Sequence, residues 1–174
     1  MKKILLGVLA MFWVSAAGYA AEQVARSPGA PEPLTVTKVI DGATLELSNG
    51  ETVRLIGVDV PTKLEKEAAD FTRKLVEGKQ VRLEFDMRKR DKYGRTLAYV
   101  YVLDLYKDGA IEVIQLLAGF YLSGNPKNPE LFLNATLIGA SYAQVMTVPP
   151  NVKYQELFVK LEKEAKEQRR GLWK

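Results

Sequence analysis

Mainly β with α, in an α+β arrangement centred on a five-stranded OB-fold barrel with about three helices, is the architecture this chain predicts. Short apolar runs alternate with polar residues through the first half of the folded part, and the turn dipeptides Asp41-Gly42 and Asn49-Gly50 separate them. Apolar residues then recur at helical intervals in two later stretches. Three strands, a helix, two strands and then helices is the order of a Greek-key OB barrel.

Leu34, Val36 and the Val39-Ile40 pair make the first strand, and Leu45 and Leu47 alternate with Thr44 and Glu46 in the second. A third strand covers residues 52–58, so the chain opens as a three-stranded meander. Leu64, Ala68, Phe71 and Leu75 predict a helix that Gly78 ends. In front of it, Thr62-Lys63-Leu64-Glu65 is a capping-box pattern that assigns Thr62 the role of helix cap. Residues 81–85 and 96–102 are two further strands, joined by a charged turn over 88–94. Residues 133–142 are expected to form a short helix, and Tyr154, Leu157, Phe158, Leu161 and Ala165 the stripe of a last one, stopped by Gly171.

Composition narrows the chemistry. The 174 residues, 47% hydrophobic and 26% charged, suit one domain with additional segments. With no histidine and no cysteine, Ser-His-Asp and Cys-His sites, zinc held by nitrogen or sulfur, and lipidation on cysteine are excluded. Oxygen-ligand metal chemistry, arginine and lysine remain. Lys2 and Lys3 precede an uncharged apolar run over 4–14, and Gly18-Tyr19-Ala20 supplies small residues before Ala21. Residues 1–20 therefore read as a secretory signal peptide, the alternative being an uncleaved anchor. Export, periplasmic or secreted, follows, and cleavage would leave no stable membrane span. Residues 21–33, with Ser27, Pro28, Gly29, Pro31 and Pro33, read as a flexible linker to a domain over 34–174. Removing Lys2 and Lys3 takes the 25 basic residues to 23 against 21 acidic ones, a net of +2. So mild an excess carries no nucleic-acid argument by itself.

Four motifs carry more: Asp41-Gly42-Ala43-Thr44; Val53-Arg54-Leu55-Ile56-Gly57-Val58-Asp59-Val60-Pro61-Thr62; Asp91-Lys92-Tyr93-Gly94-Arg95; and Gly171-Leu172-Trp173. In combination they resemble the staphylococcal-nuclease-like (thermonuclease) family, whose members cut nucleic-acid phosphodiesters with calcium. The resemblance implies that Arg54 and Arg95 clamp a phosphate and that Lys92 and Tyr93 contact a terminal phosphate. It also implies that calcium meets Asp59 and the Val60 carbonyl, with Asp41 beside the metal. A planar guanidinium suits the clamp because it gives paired hydrogen bonds to phosphate oxygens. Arg54 is the more telling of the two, because an unpaired charge inside the apolar run 53–58 would be costly. Asp41 serves equally well as a simple turn former. Regular alternation would put Arg54 and Asp59 on opposite faces, so a bend or bulge at Gly57 must re-aim them if they converge.

Two acids of the family pattern are replaced. Ala43 stands where the second metal-ligating Asp would be, and a methyl group cannot coordinate. Thr62 stands where the general-base Glu would be, and a hydroxyl cannot accept a proton near neutral pH. Thr147 and Pro149 occupy the region where the family stacks a base on aromatic rings. The expectation is an exported domain that binds nucleic acid or nucleotide phosphate, with calcium weakly held if at all and hydrolysis lost or strongly weakened. One alternative is an active calcium-dependent nuclease using Glu65 as a relocated acid. The other is a non-catalytic interaction scaffold. Relative to the family, residues near 107–131 are an insertion carrying Ile111, Val113, Leu116, Phe120 and Tyr121 ahead of the turn-rich Asn125-Pro126-Lys127-Asn128-Pro129. Its apolar side chains either cover the barrel's own core or dock a protein partner or membrane surface.

Overall fold

Alternating burial along the first three strands is what rolls the chain into a barrel. The structure, a computed structural model, describes residues 33–103, 122–125, 128–169 and 171–173. Strands β1 (Leu34–Asp41), β2 (Thr44–Leu47) and β3 (Thr52–Leu55) form an antiparallel meander. Val36, Val39, Leu45, Leu47, Val53 and Leu55 point inward and are buried. Strand β5 (Gln80–Glu84) pairs with β1 and with β6 (Thr96–Val102), and β6 returns to pair in parallel with β3. That last pairing closes five strands into a barrel, as the order of sequence elements implies.

One predicted strand is two. The run over 52–58 breaks after Leu55, and β4 (Gly57–Asp59) leaves the barrel to pair with β9 (Gln144–Met146) in a separate two-stranded sheet. Gly57 takes φ +76° at the break, a conformation that L side chains rarely adopt.

Helix α1 (Glu65–Val76) lays Ala68, Thr72, Leu75 and Val76 against the barrel. The Thr72 hydroxyl donates to the Gly42 carbonyl at 2.9 Å, and a Cβ at Gly42 would lie 2.7 Å from that of Ala68. The predicted Thr62 cap does not form. The chain enters α1 through a 3₁₀ turn, Thr62–Leu64, with no side-chain cap hydrogen bond at the start of either helical segment. A main-chain bond from the Leu64 amide to the Pro61 carbonyl, 2.9 Å, satisfies a donor within this entry turn. Thr62 is exposed.

The insertion contributes a hairpin, β7 (Leu122–Asn125) and β8 (Asn128–Phe132), and β8 adds to the sheet beside β6. Its apolar residues Ile111, Val113, Leu116, Phe120 and Tyr121 lie outside the described residues. Helix α2 (Leu133–Gly139) is buried throughout, and α3 (Gln155–Glu167) buries Phe158, Leu161 and Ala165. Strand β6 is therefore buried on nearly every residue rather than alternately, with the three helices completing the expected α+β set.

Candidate functional site

The break at Ile56-Gly57 does what alternation alone could not: it turns Asp59 back toward the side chain of Arg54. One guanidinium nitrogen, Nη1, donates to Asp41 Oδ1 at 3.4 Å and to Thr44 Oγ1 at 3.3 Å. The other, Nη2, donates to the Val58 carbonyl at 3.3 Å and lies 3.9 Å from Asp59 Oδ1. Arg54 is mostly buried at 17% side-chain exposure, and each carboxylate is a third exposed. Such partly solvated pairs contribute about 1 kcal/mol or less each. Asp41 takes the turn-forming role foreseen for it, since the oxygen that meets Arg54 also accepts the Ala43 amide at 2.8 Å and fixes the turn.

These carboxylates are already engaged. Asp59 Oδ2 accepts Gln144 Nε2 at 2.8 Å across the β4–β9 pairing, in which Asp59 lies opposite Gln144. Ala43 is fully buried and brings no oxygen in its side chain. Among the described residues, no group of three or more acids, histidines or cysteines gathers to hold a metal. Calcium takes about 6 to 8 oxygens. Two carboxylates that already serve an arginine, a main-chain amide and a glutamine do not fit a resident calcium ion, though they are compatible with weak, transient contact. Val60 is partly buried, with its side chain packed against the core and close to Gly42.

On its other side, Arg54 borders a cleft of about 460 Å³ that is also lined by Lys92, Tyr93 and Arg95. The closing β3–β6 pairing sets Arg54 opposite Leu97, two residues from Arg95, which is how two distant motifs reach one cavity. Asp91 organises this loop. Its Oδ1 accepts the amides of Tyr93 and Arg95 at 2.9 and 3.0 Å, and its Oδ2 accepts Arg95 Nε at 2.7 Å. Burial pushes the Asp91 carboxyl up, but the hydrogen bonds from Arg95 and Tyr93 outweigh it and hold the group below its ordinary value. Tyr93 is 72% exposed, with Lys92 Nζ 5.0 Å and the Arg95 guanidinium carbon 5.4 Å from its ring centre. The four expected phosphate ligands thus share one cleft.

Glu65 and Thr62 do not join them. Both are exposed at the start of the α1 region, and neither lines the cleft. The structure adds Arg88, Met146, Val148 and Asn151, which sequence reasoning passed over. Arg88 belonged to a turn that any charged loop resembles, and the other three come from a stretch read only for its missing aromatic rings. Met146 and Val148 are half exposed and give the cleft an aliphatic wall.

The sequence pattern of the family described as staphylococcal nuclease homologue matches residues 52–174. A thermonuclease of Staphylococcus intermedius is 34% identical over 154 residues, covering 82% of this chain and 76% of that protein. A thermonuclease of Staphylococcus hyicus is 31% identical over 150 residues, with 79% and 73% covered. An SPbeta prophage-derived endonuclease of Bacillus subtilis is 30% identical over 154 residues, 80% of this chain but 43% of its own length. On the closed barrel, the convergent arginine cleft and these matches, the chain belongs to the staphylococcal nuclease homologue family.

Proposed function

We propose that this protein binds nucleic acid or nucleotide phosphate through Arg54, Arg95, Lys92 and Tyr93, and that calcium-dependent phosphodiester hydrolysis is lost or strongly weakened. One observation carries the reading. The cleft keeps its cations, while the carboxylates at or beside it, Asp41, Asp59 and Asp91, are already bonded to Arg54, Gln144 and Arg95 respectively. An incoming phosphate offers Arg54 and Arg95 a bidentate partner, and their present carboxylate partners hold both side chains where they line the cleft. Proton abstraction from water needs a carboxylate that Thr62 does not supply.

The binding test is the affinity for single-stranded DNA and for a mononucleotide phosphate, measured with chelator present. Arg54→Ala with Arg95→Ala should lower both affinities at least tenfold, since charged hydrogen bonds contribute about 1.5–3 kcal/mol each. Unaltered binding would remove the clamp. The hydrolysis test is digestion of single-stranded DNA at micromolar protein, with calcium and with chelator. Cleavage that appears only with calcium would restore the hydrolytic activity that the relatives' names carry. Export is part of the proposal and is supported by the charge and hydropathy pattern of residues 1–20. No helix among the described residues is long and apolar enough to cross a membrane. Recovery of mature protein beginning near Ala21 from outside the cytoplasm is the expected result, and retention of the full chain inside would count against it.

A further inference from the structure

Around the cleft, the cations differ in what they are free to do. Arg54 is committed to Asp41 and Asp59, Arg95 to Asp91, and Arg90 to Glu51 at 3.1 Å and to the Gly94 carbonyl at 3.0 Å. Among the described residues, no carboxylate pairs with Arg88 or Lys92, and both are exposed and line the cleft. Lys92 already belongs to the phosphate site, so among the described residues Arg88 is the cleft cation that neither a carboxylate nor that site uses. Arg88 is also held in place. Asn151 Oδ1 accepts the Arg88 amide at 2.7 Å, and Asn151 Nδ2 donates to the Arg88 carbonyl at 2.8 Å. Asn151 is 5% exposed, and its own amide donates to the Val148 carbonyl at 3.1 Å. A buried side chain thus grips the main chain of an exposed arginine from both directions, beside the aliphatic wall of Met146 and Val148.

We infer that Arg88 forms a second phosphate position beside the Arg54 and Arg95 clamp, so that the cleft takes a single-stranded oligonucleotide in preference to a mononucleotide. The inference rests on the phosphate-clamp reading above. One phosphate sits between the arginines of the clamp, and its neighbour along the strand meets Arg88. The sugar and base between them contact Met146 and Val148. Charge complementarity selects a polyanion, and the absence of a carboxylate partner among the described residues means that Arg88 need not break an ion pair there to bind it.

The experiment compares thymidine 5′-monophosphate with a 5′-phosphorylated thymidine tetranucleotide, both with chelator present. Unaltered protein should bind both, the tetranucleotide more tightly. Arg88→Ala should weaken the tetranucleotide about five- to tenfold and leave the mononucleotide within about twofold. The slope of log affinity against log salt for the tetranucleotide should become shallower by about 0.7, the value for one phosphate contact on a single strand. Arg88→Lys should recover most of the loss. Equal weakening of both probes would make Arg88 part of the clamp, and no weakening of either would leave it a bystander; each result overturns the second position while the clamp stands. Failure of the unaltered protein to bind the mononucleotide overturns the clamp itself, and the inference with it.

Discussion

Gly57 decides where Arg54 and Asp59 meet, and two features make it irreplaceable. Its φ of +76° is one, and the other is Phe158, whose ring atoms would lie 2.6 and 2.7 Å from an added Cβ. Phe158 is fully buried on α3 and cannot retreat without disturbing the core. Gly57→Ala should therefore cost about 2–4 kcal/mol, the sum of a strained backbone and an overpacked contact. Phosphate affinity should fall with it, because the bend that brings Asp59 to Arg54 would open. Urea denaturation and nucleotide titration check both halves; a loss below about 0.5 kcal/mol would mean that the bend is not under strain. At this scale the sequence was informative about Arg54, Asp41 and Asp59, since their convergence needs only a bend that a glycine can make. It misled at Thr62. A four-residue capping pattern does not reveal that the chain enters the helix through a 3₁₀ turn with main-chain hydrogen bonding of its own.

Helix α2 shows why elements can be legible while their connections are not. Its position followed from the apolar run, but Asn134 between Leu133 and Ala135 passed unnoticed, although a polar residue in so apolar a helix was the available signal. On one edge, β6 is covered by β3 as far as Ala98 and by β8 from Tyr101 onward. Val100 falls in the gap. Its amide donates instead to Asn134 Oδ1 at 2.9 Å, while Asn134 Nδ2 donates to the Ile56 carbonyl at 2.9 Å, where β3 ends. One fully buried amide thus closes the barrel where no strand does. Asn134→Ala should leave both main-chain groups without these partners and cost about 2–6 kcal/mol, at about 1–3 kcal/mol for each unsatisfied group. Native-state hydrogen exchange checks the assignment, with early loss of protection expected at Val100. Unchanged protection there would mean that another group replaces the amide. The insertion hairpin escaped prediction for a related reason: its strands exist because β6 offers an edge, which no local pattern of residues 122–132 contains.

Without a cysteine, the molecule as a whole relies on its core and on polar ties between distant parts of the chain, and several of those ties are carboxylates. Asp86 Oδ2 accepts the Tyr99 hydroxyl at 3.0 Å and the Lys153 amide at 3.1 Å. Glu84 accepts Lys153 Nζ at 2.6 Å and the Tyr154 hydroxyl at 3.2 Å, and the Tyr154 oxygen in turn accepts the Tyr101 hydroxyl at 3.0 Å. These bonds join the end of β5 to the segment leading into α3, and Asp91 organises the cleft loop a few residues on. Burial raises the carboxyl pKa in all three, but the hydrogen bonds and ion pairs outweigh it and set each below its ordinary value, 3.8 for the aspartates and 4.5 for the glutamate. A carboxylate with a depressed folded-state pKa contributes stability that is complete above the ordinary value and is lost as pH falls through the folded one. Stability should accordingly be level near pH 6 and decline as pH drops below about 4.5, where the unfolded chain takes up protons first. Asp86→Asn and Glu84→Gln should each lose about 1–2 kcal/mol at pH 7 and show a flatter decline in acid, because each removes one of the groups whose protonation drives it. Urea midpoints from pH 3 to pH 7 measure this directly. Variants that decline as steeply as the unaltered protein would move the acid sensitivity away from the β5–α3 tie. Phosphate affinity measured over the same range should fall together with stability, since protonating Asp91 releases the loop that presents Lys92, Tyr93 and Arg95 to the cleft.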